Sequence, residues 1–122
     1  MRPMKRARRS KPSELRAPTP ELLALVARRF RVLADPARLA ILHALQDGAH
    51  PVGDIVQRTG LAQGTVSKHL QILHSARFVS RQRDGLFIYY ELADDDVLRL
   101  CEMVCGRMDS ETAAVRALLA IR

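Results

Sequence analysis

The stretch PVGDIVQRTGLAQGTVSKHLQILHSARFVSRQRDGLFIYY, residues 51–90, changes its hydrophobic period once, and that change decides the fold. Pro51 opens a short helix whose apolar positions are Val52, Ile55 and Val56, with Gly60 just past its end. Leu61, Val66, Leu70 and Leu73 then recur at helical spacing and mark the inner face of a longer helix. After Ala76 the period falls to two. Phe78-Val79 and Leu86-Phe87-Ile88-Tyr89-Tyr90 are β-formers separated by a polar stretch centred on Asp84-Gly85. Asp-Gly between apolar strands predicts a tight hairpin in which both turn residues take positive φ.

Working outward, Thr19-Pro20-Glu21 reads as an N-cap, a first-turn proline and a first-turn acid. Leu22, Leu25, Val26, Phe30 and Leu33 form the stripe of that first helix. Asp35-Pro36 starts a second, with Leu39, Ile41, Leu42 and Leu45 apolar and Gly48 as its stop. On the other side, Asp94-Asp95-Asp96 places negative charge at the start of a fifth helix, whose stripe is Val97, Leu100, Cys101, Val104, Cys105 and Met108. Ala113 to Ile121 either continues that helix or forms a sixth. Helix, short helix, tight turn, helix, hairpin is the order of a winged helix-turn-helix. The expected architecture is mainly α, with a small β-hairpin wing.

Charge divides the chain differently. The formal net charge is +7 over 122 residues. Residues 1–16 hold seven basic residues and one acid, whereas the rest holds thirteen and twelve. Residues 1–18, rich in Arg, Lys, Pro and Ser, are expected to form a disordered basic arm ahead of one domain spanning 19–122. From Arg58 to Arg83 there are five cations and no acid, while Asp84 to Glu111 carries eight acids against two arginines. A cationic middle segment suits a polyanion. With Val66, Leu70 and Leu73 turned inward, Gln63, Thr65, Ser67, Lys68 and Gln71 fall on or near the outward face of the fourth helix. Their side chains suit base edges and phosphates in a DNA major groove, and Arg81 and Arg83 stand where a wing would hold the backbone.

Other function classes are disfavoured. Hydrophobic residues make up 48 % and charged residues 27 %, a globular balance, and the longest apolar run, Leu22 to Ala27, is six residues, far short of a bilayer span. The charged N-terminus lacks the apolar segment of a secretory signal, so a cytoplasmic location is expected. His43, His50, His69 and His74 cannot be assigned to a pocket with either cysteine, and no Gly-rich phosphate loop or carboxylate pair is recognisable, so the chain does not read as an enzyme.

Three segments in order, LADPARLAIL (33–42), TVSKHL (65–70) and RDGLFIYY (83–90), closely resemble the ArsR/SmtB family of bacterial transcriptional regulators, and the resemblance extends from about residue 20 to about 108. It implies a homodimer paired through the first and fifth helices, and a repressor that leaves operator DNA when an inducer binds. The chain departs from the family pattern at Ala62, where a capping Ser is frequent, and at Arg77, where Gly is usual. A family metalloid site needs two cysteines at the start of the third helix; Pro51-Val52-Gly53-Asp54-Ile55 has neither. A family zinc site on the fifth helix would use Asp94 and Asp96, but its second pair of positions falls on Arg107 and Ser110, and Arg cannot ligate a metal.

That leaves Cys101 and Cys105, one helical turn apart on one face. If this face is the dimer seam, four thiols approach the two-fold axis, a soft set suited to arsenic(III) or another thiophilic metal ion. Peroxide or persulfide chemistry is a second reading, and packing as small hydrophobes in a regulator without small-molecule sensing is a third.

Overall fold

A computed structural model describes residues 17–120; the basic arm up to Arg16, and Ile121 with Arg122, lie outside the described residues. The elements are α1 (Pro20–Leu33), α2 (Pro36–Ala44), β1 (His50–Pro51), α3 (Val52–Thr59), α4 (Gln63–Ser75), β2 (Val79–Asp84), β3 (Phe87–Leu92) and α5 (Asp96–Ala120). Thr19 Oγ1 accepts the Leu22 N–H at 3.1 Å, and Asp35 Oδ1 accepts those of Ala37 and Arg38 at 2.9 and 3.1 Å. Both predicted N-caps thus satisfy donors that the helices cannot.

The core is small and central. Ile41, Leu42 and Leu45 from the second helix meet Ile55 from α3, Val66, Leu70 and Leu73 from α4, Val79 and Tyr90 from the sheet, and Val97 from α5. The strands form an antiparallel sheet in the order β1-β3-β2.

Three expectations change. Pro51 does not open α3 as a helical residue. It is the N-cap, and with His50 it pairs against Tyr89 and Tyr90 as a third strand too short to leave a sequence signal. The hairpin turn is shifted by one residue. Asp84 pairs with Phe87, so the two-residue loop is Gly85-Leu86, and only Gly85 has positive φ (66°). Positive φ at the first loop residue alone is the type II′ pattern, which asks for glycine there and lets Asp84 remain extended. Leu86, read as a strand residue, sits in the turn. Finally, α5 is one uninterrupted 25-residue helix, about 37 Å long, which settles the choice left open for its C-terminal half.

Where glycine was expected, Arg77 adopts φ 67°. The Phe78 N–H reaches the Leu73 carbonyl at 2.9 Å and the Arg77 N–H that of His74 at 3.0 Å. This is a Schellman stop for α4, with an L-residue in the left-handed position. The strain is confined to one residue, and the motif closes as it would around glycine.

Two helices remain uncovered. No residue of α1 is buried, and α5 buries only Val97. Leu22, Leu23, Leu25, Val26 and Phe30 are exposed on the first, and Met103, Val104, Met108, Val115, Leu118 and Leu119 on the second.

Candidate nucleic-acid interface

The buried residues of α4, Val66, Leu70 and Leu73, cluster within one third of its circumference at 100° per residue. The opposite side therefore carries Gly64, Lys68, Gln71 and Ser75, all exposed. Gln63 is exposed because it occupies the first turn, while Thr65 and Ser67 lie half-buried on the two flanks. The five polar residues are thus not equivalent. Gln63 and Lys68 stand free, Thr65 and Ser67 present their edges, and Gln71 borders a groove of about 750 Å3 between α4 and α1, walled by Leu22, Leu25, Val26 and Ile72.

Ala62 makes no side-chain cap, and the first turn holds no acid. The N-terminal N–H groups of α4 are therefore left to solvent or to an anionic ligand at the positive end of the helix dipole.

In the hairpin, Val79, Arg81 and Arg83 oppose Leu92, Tyr90 and Ile88. Cross-strand partners share a face, so both arginines project from the face that buries Val79 and Tyr90 at its root. Ser80, Gln82 and Asp84 occupy the other face with Glu91, Tyr89 and Phe87. Both arginines are exposed.

Arg58, counted with the cationic run, is committed elsewhere. Its Nη1 donates to the Ala44 carbonyl at 3.1 Å and to Asp47 Oδ1 at 3.0 Å, and its Nη2 donates to Asp47 Oδ2 at 3.2 Å. His50 Nε2 lies 2.8 Å from the same Asp47 Oδ1, and its Nδ1 lies 3.4 Å from Asp54 Oδ2. The hydrogen bonds from His50 and then Arg58 lower the Asp47 carboxyl to about 2. This cluster ties β1 to the turn after α2, and through β1 it braces the root of the wing. Lys68, Arg77, Arg81 and Arg83 take part in none of the ion pairs among the described residues. Within the run from Arg58 to Arg83, the cations outside these ion pairs thus belong to α4, its stop and the wing.

A further contact was not foreseen from the sequence. Arg38 donates from Nε to the Val32 carbonyl at 2.6 Å and from Nη1 to His69 Nδ1 at 3.1 Å. A guanidinium only donates, so Nδ1 of His69 accepts. One side chain thereby joins the end of α1, the start of α2 and the middle of α4. Its only sequence signal is its place in the LADPARLAIL segment, since spacing alone does not pair residues 31 apart.

On α5, Cys101 is half-buried and Cys105 exposed. Burial, with the neighbouring Cys105 second, pushes the Cys101 thiol up. Among the described residues no group of three His, Cys, Asp or Glu is placed to hold a metal. Asp94 instead accepts the Asp96 N–H at 2.8 Å in an Asx turn just ahead of α5, whose N-cap position is Asp95, and Asp96 lies 3.8 Å from Arg99. No helix among the described residues is long and apolar enough to cross a membrane.

Comparison with known proteins agrees with this architecture. Residues 35–81, from the cap of α2 into β2, match the family described as bacterial regulatory protein, arsR family. A transcriptional repressor SmtB homologue of Synechocystis is 34 % identical over 100 residues, covering 78 % of this chain and 76 % of that protein. Across three curated relatives the chain spans 60, 70 and 76 % of their lengths. The crystal structure of the AntR antimony-specific transcriptional repressor superposes with a TM-score of 0.68 at 34 % identity, covering 84 % of this chain and 96 % of that one. The homodimeric winged helix-turn-helix DNA-binding domain Mb0332 of Mycobacterium bovis gives 0.65 at 36 % identity, covering 78 % and 91 %. All three bear names of transcriptional regulators. With this fold, these motifs and this extent of identity, the chain belongs to the ArsR family of winged helix-turn-helix transcriptional regulators.

Proposed function

We propose that the protein is a cytoplasmic, sequence-specific DNA-binding repressor that acts as a homodimer and leaves its operator when an inducer binds. The observation that carries this reading is the distribution of cations. Every unpaired one between Arg58 and Arg83 lies on α4, its stop or the wing, and no acid intervenes. Gln63, Lys68 and Gln71 would read base edges in the major groove from the exposed side of α4, with Thr65 and Ser67 at its margins. Arg81 and Arg83 would hold phosphates through the wing, and the arm at residues 1–18 would add contacts without sequence preference. Dimerisation would cover the apolar sides of α1 and α5, which a single chain leaves in water.

For the inducer, we favour a thiophilic metalloid such as arsenic(III), held by Cys101 and Cys105 of both subunits. Two thiols per chain, one of them exposed, fall short of the three that arsenic(III) takes, and a two-fold axis supplies four. The relative whose crystal structure is described as antimony-specific makes metalloid sensing reachable within this fold. The half-buried position of Cys101 favours a second reading, in which the thiols are packing residues and the regulator senses nothing directly.

Fluorescence anisotropy of the reduced protein on DNA upstream of its own gene tests these together. Arsenite, cadmium, zinc and peroxide are titrated in turn, with the Cys101→Ser, Cys105→Ser double variant alongside. Release by arsenite or cadmium that the variant ignores identifies the metalloid sensor, whereas release by peroxide alone identifies redox thiols. Tight binding that none of the four disturbs makes the cysteines core residues. Absence of specific binding to this and other promoters refutes the repressor reading itself.

A further inference from the structure

The exposed large apolar side chains of the described residues fall in two places, and only one is covered by pairing α1 and α5. The other is the tip of the wing, where Leu86 is 92 % exposed, Phe87 58 % and Ile88 36 %. The turn does not require this. A type II′ loop needs glycine at its first position, supplied by Gly85, and leaves the second open to polar residues, which a water-facing turn favours. Leu86 stands at that free position. Beside it, Arg83 and then Arg81 project from one face of the hairpin, unpaired, while Asp84 and Glu91 lie on the other. An apolar point flanked by cations on one face complements a polyanion with an apolar interior.

We propose that Leu86 is a wedge that enters the minor groove of duplex DNA beside the recognition site and partly unstacks one base step, so that the protein bends its operator. The inference rests on the DNA-binding reading above and deepens it. Apolar side chains inserted from the minor groove kink duplexes by about 20–90°. Arg81 and Arg83 would neutralise the phosphates drawn together by the bend. The step entered should be one that unstacks easily, a TA or CA/TG step, which gives the wing a sequence preference although it makes no hydrogen bond to a base. A second copy of this chain is the less favoured occupant, because two wing tips meeting would bring four unpaired arginines together.

The test uses the full chain and duplexes selected by it from a random pool. Leu86→Asn keeps a turn-compatible residue and removes the wedge. End-to-end energy transfer across the labelled duplex reads the bend, and anisotropy reads affinity. The expected result is that Leu86→Asn loses most of the bend and about tenfold in affinity, the equivalent of exposing one leucine. On a duplex cut short before the wing, wild type and variant should bind alike. Replacing the flanking TA or CA step by GC should weaken wild type and leave the variant unchanged. The proposal is overturned if Leu86→Asn bends and binds the full duplex as wild type does, while Lys68→Ala still weakens binding. It is equally overturned if the variant changes only the sedimentation of the protein and not the DNA. If wild type selects no duplex at all, the DNA-binding reading fails, and the wedge falls with it.

Discussion

Replacing Arg77 by glycine should stabilise the protein, against the usual direction of point substitutions. Arg77 has φ 67° at the end of α4, and the hydrogen bonds around it already form a Schellman motif. An L-residue in the left-handed region costs about 1–2 kcal/mol relative to its preferred conformations. Glycine removes that cost but loses about 0.5–1 kcal/mol more backbone freedom on folding. The net expectation is a gain of about 0.5–1 kcal/mol, hence a rise of about 2–8 °C in Tm for a domain of this size. Arg77→Ala separates the backbone from the side chain, because it keeps the strain and removes the guanidinium. Arg77 lines a hollow of about 270 Å3 with Arg29, Asp94 and Asp96, yet takes part in none of the ion pairs among the described residues. Arg77→Ala should therefore stay within about 0.5 kcal/mol of wild type. Thermal melts by circular dichroism, at one protein concentration because the proposed dimerisation would shift Tm, measure all three forms. If Arg77→Gly melts no higher than Arg77→Ala, the strain argument is wrong. If Arg77→Ala alone falls far below wild type, the side chain contributes to the hollow what its exposure denies.

Ala62→Ser should restore a cap to α4, since Ala62 already has the extended φ and ψ of −66° and 149° that an N-cap needs; urea unfolding should show a gain of about 1 kcal/mol, and no gain would mean that the first-turn N–H groups are already satisfied. Asp47 lies below its ordinary 3.8, so its contribution to stability is complete above that value and is lost as pH falls through about 2. Asp47→Asn should accordingly be less stable at neutral pH and show a flatter acid limb between about 3.8 and 2, and identical limbs would detach the His50 and Arg58 contacts from stability. Iodoacetamide labelling followed by mass spectrometry should modify Cys105 ahead of Cys101, because Cys101 is more buried and its thiol holds its proton to higher pH. The difference should vanish in urea; faster labelling of Cys101 would contradict its placement.

Much of the fold was legible because its signals are local. Thr19 and Asp35 cap the helices they precede, Gly60 ends α3 in the left-handed conformation, and the stripes through Ile41, Ile55, Leu70 and Leu73 do face one core. The exposed face of α4 was legible in outline, since the inward positions of Val66, Leu70 and Leu73 leave Lys68 and Gln71 outside. Its grading was not. Whether Thr65 and Ser67 are half-buried, or whether Gln71 borders the groove against α1, depends on the neighbouring helices.

The sequence by itself determined the element order, the cationic segment and the apolar stripes of α1 and α5, because periodicity, capping and charge are properties of residues close along the chain. Only the tertiary structure decided which of the cations remain free. Arg58 is taken by Asp47, eleven residues away, and Arg38 reaches His69 across 31. It also decided the register of the wing. Asp-Gly permits a loop centred on either Asp84-Gly85 or Gly85-Leu86, and pairing of Val79 with Leu92 and of Tyr90 with His50 selects the second. Arg81 and Arg83, two apart on β2, share a face in either register; the sheet's long-range pairing, and not the turn dipeptide, decides that this face is the one with Tyr90 and Ile88 and that Leu86 stands at the tip.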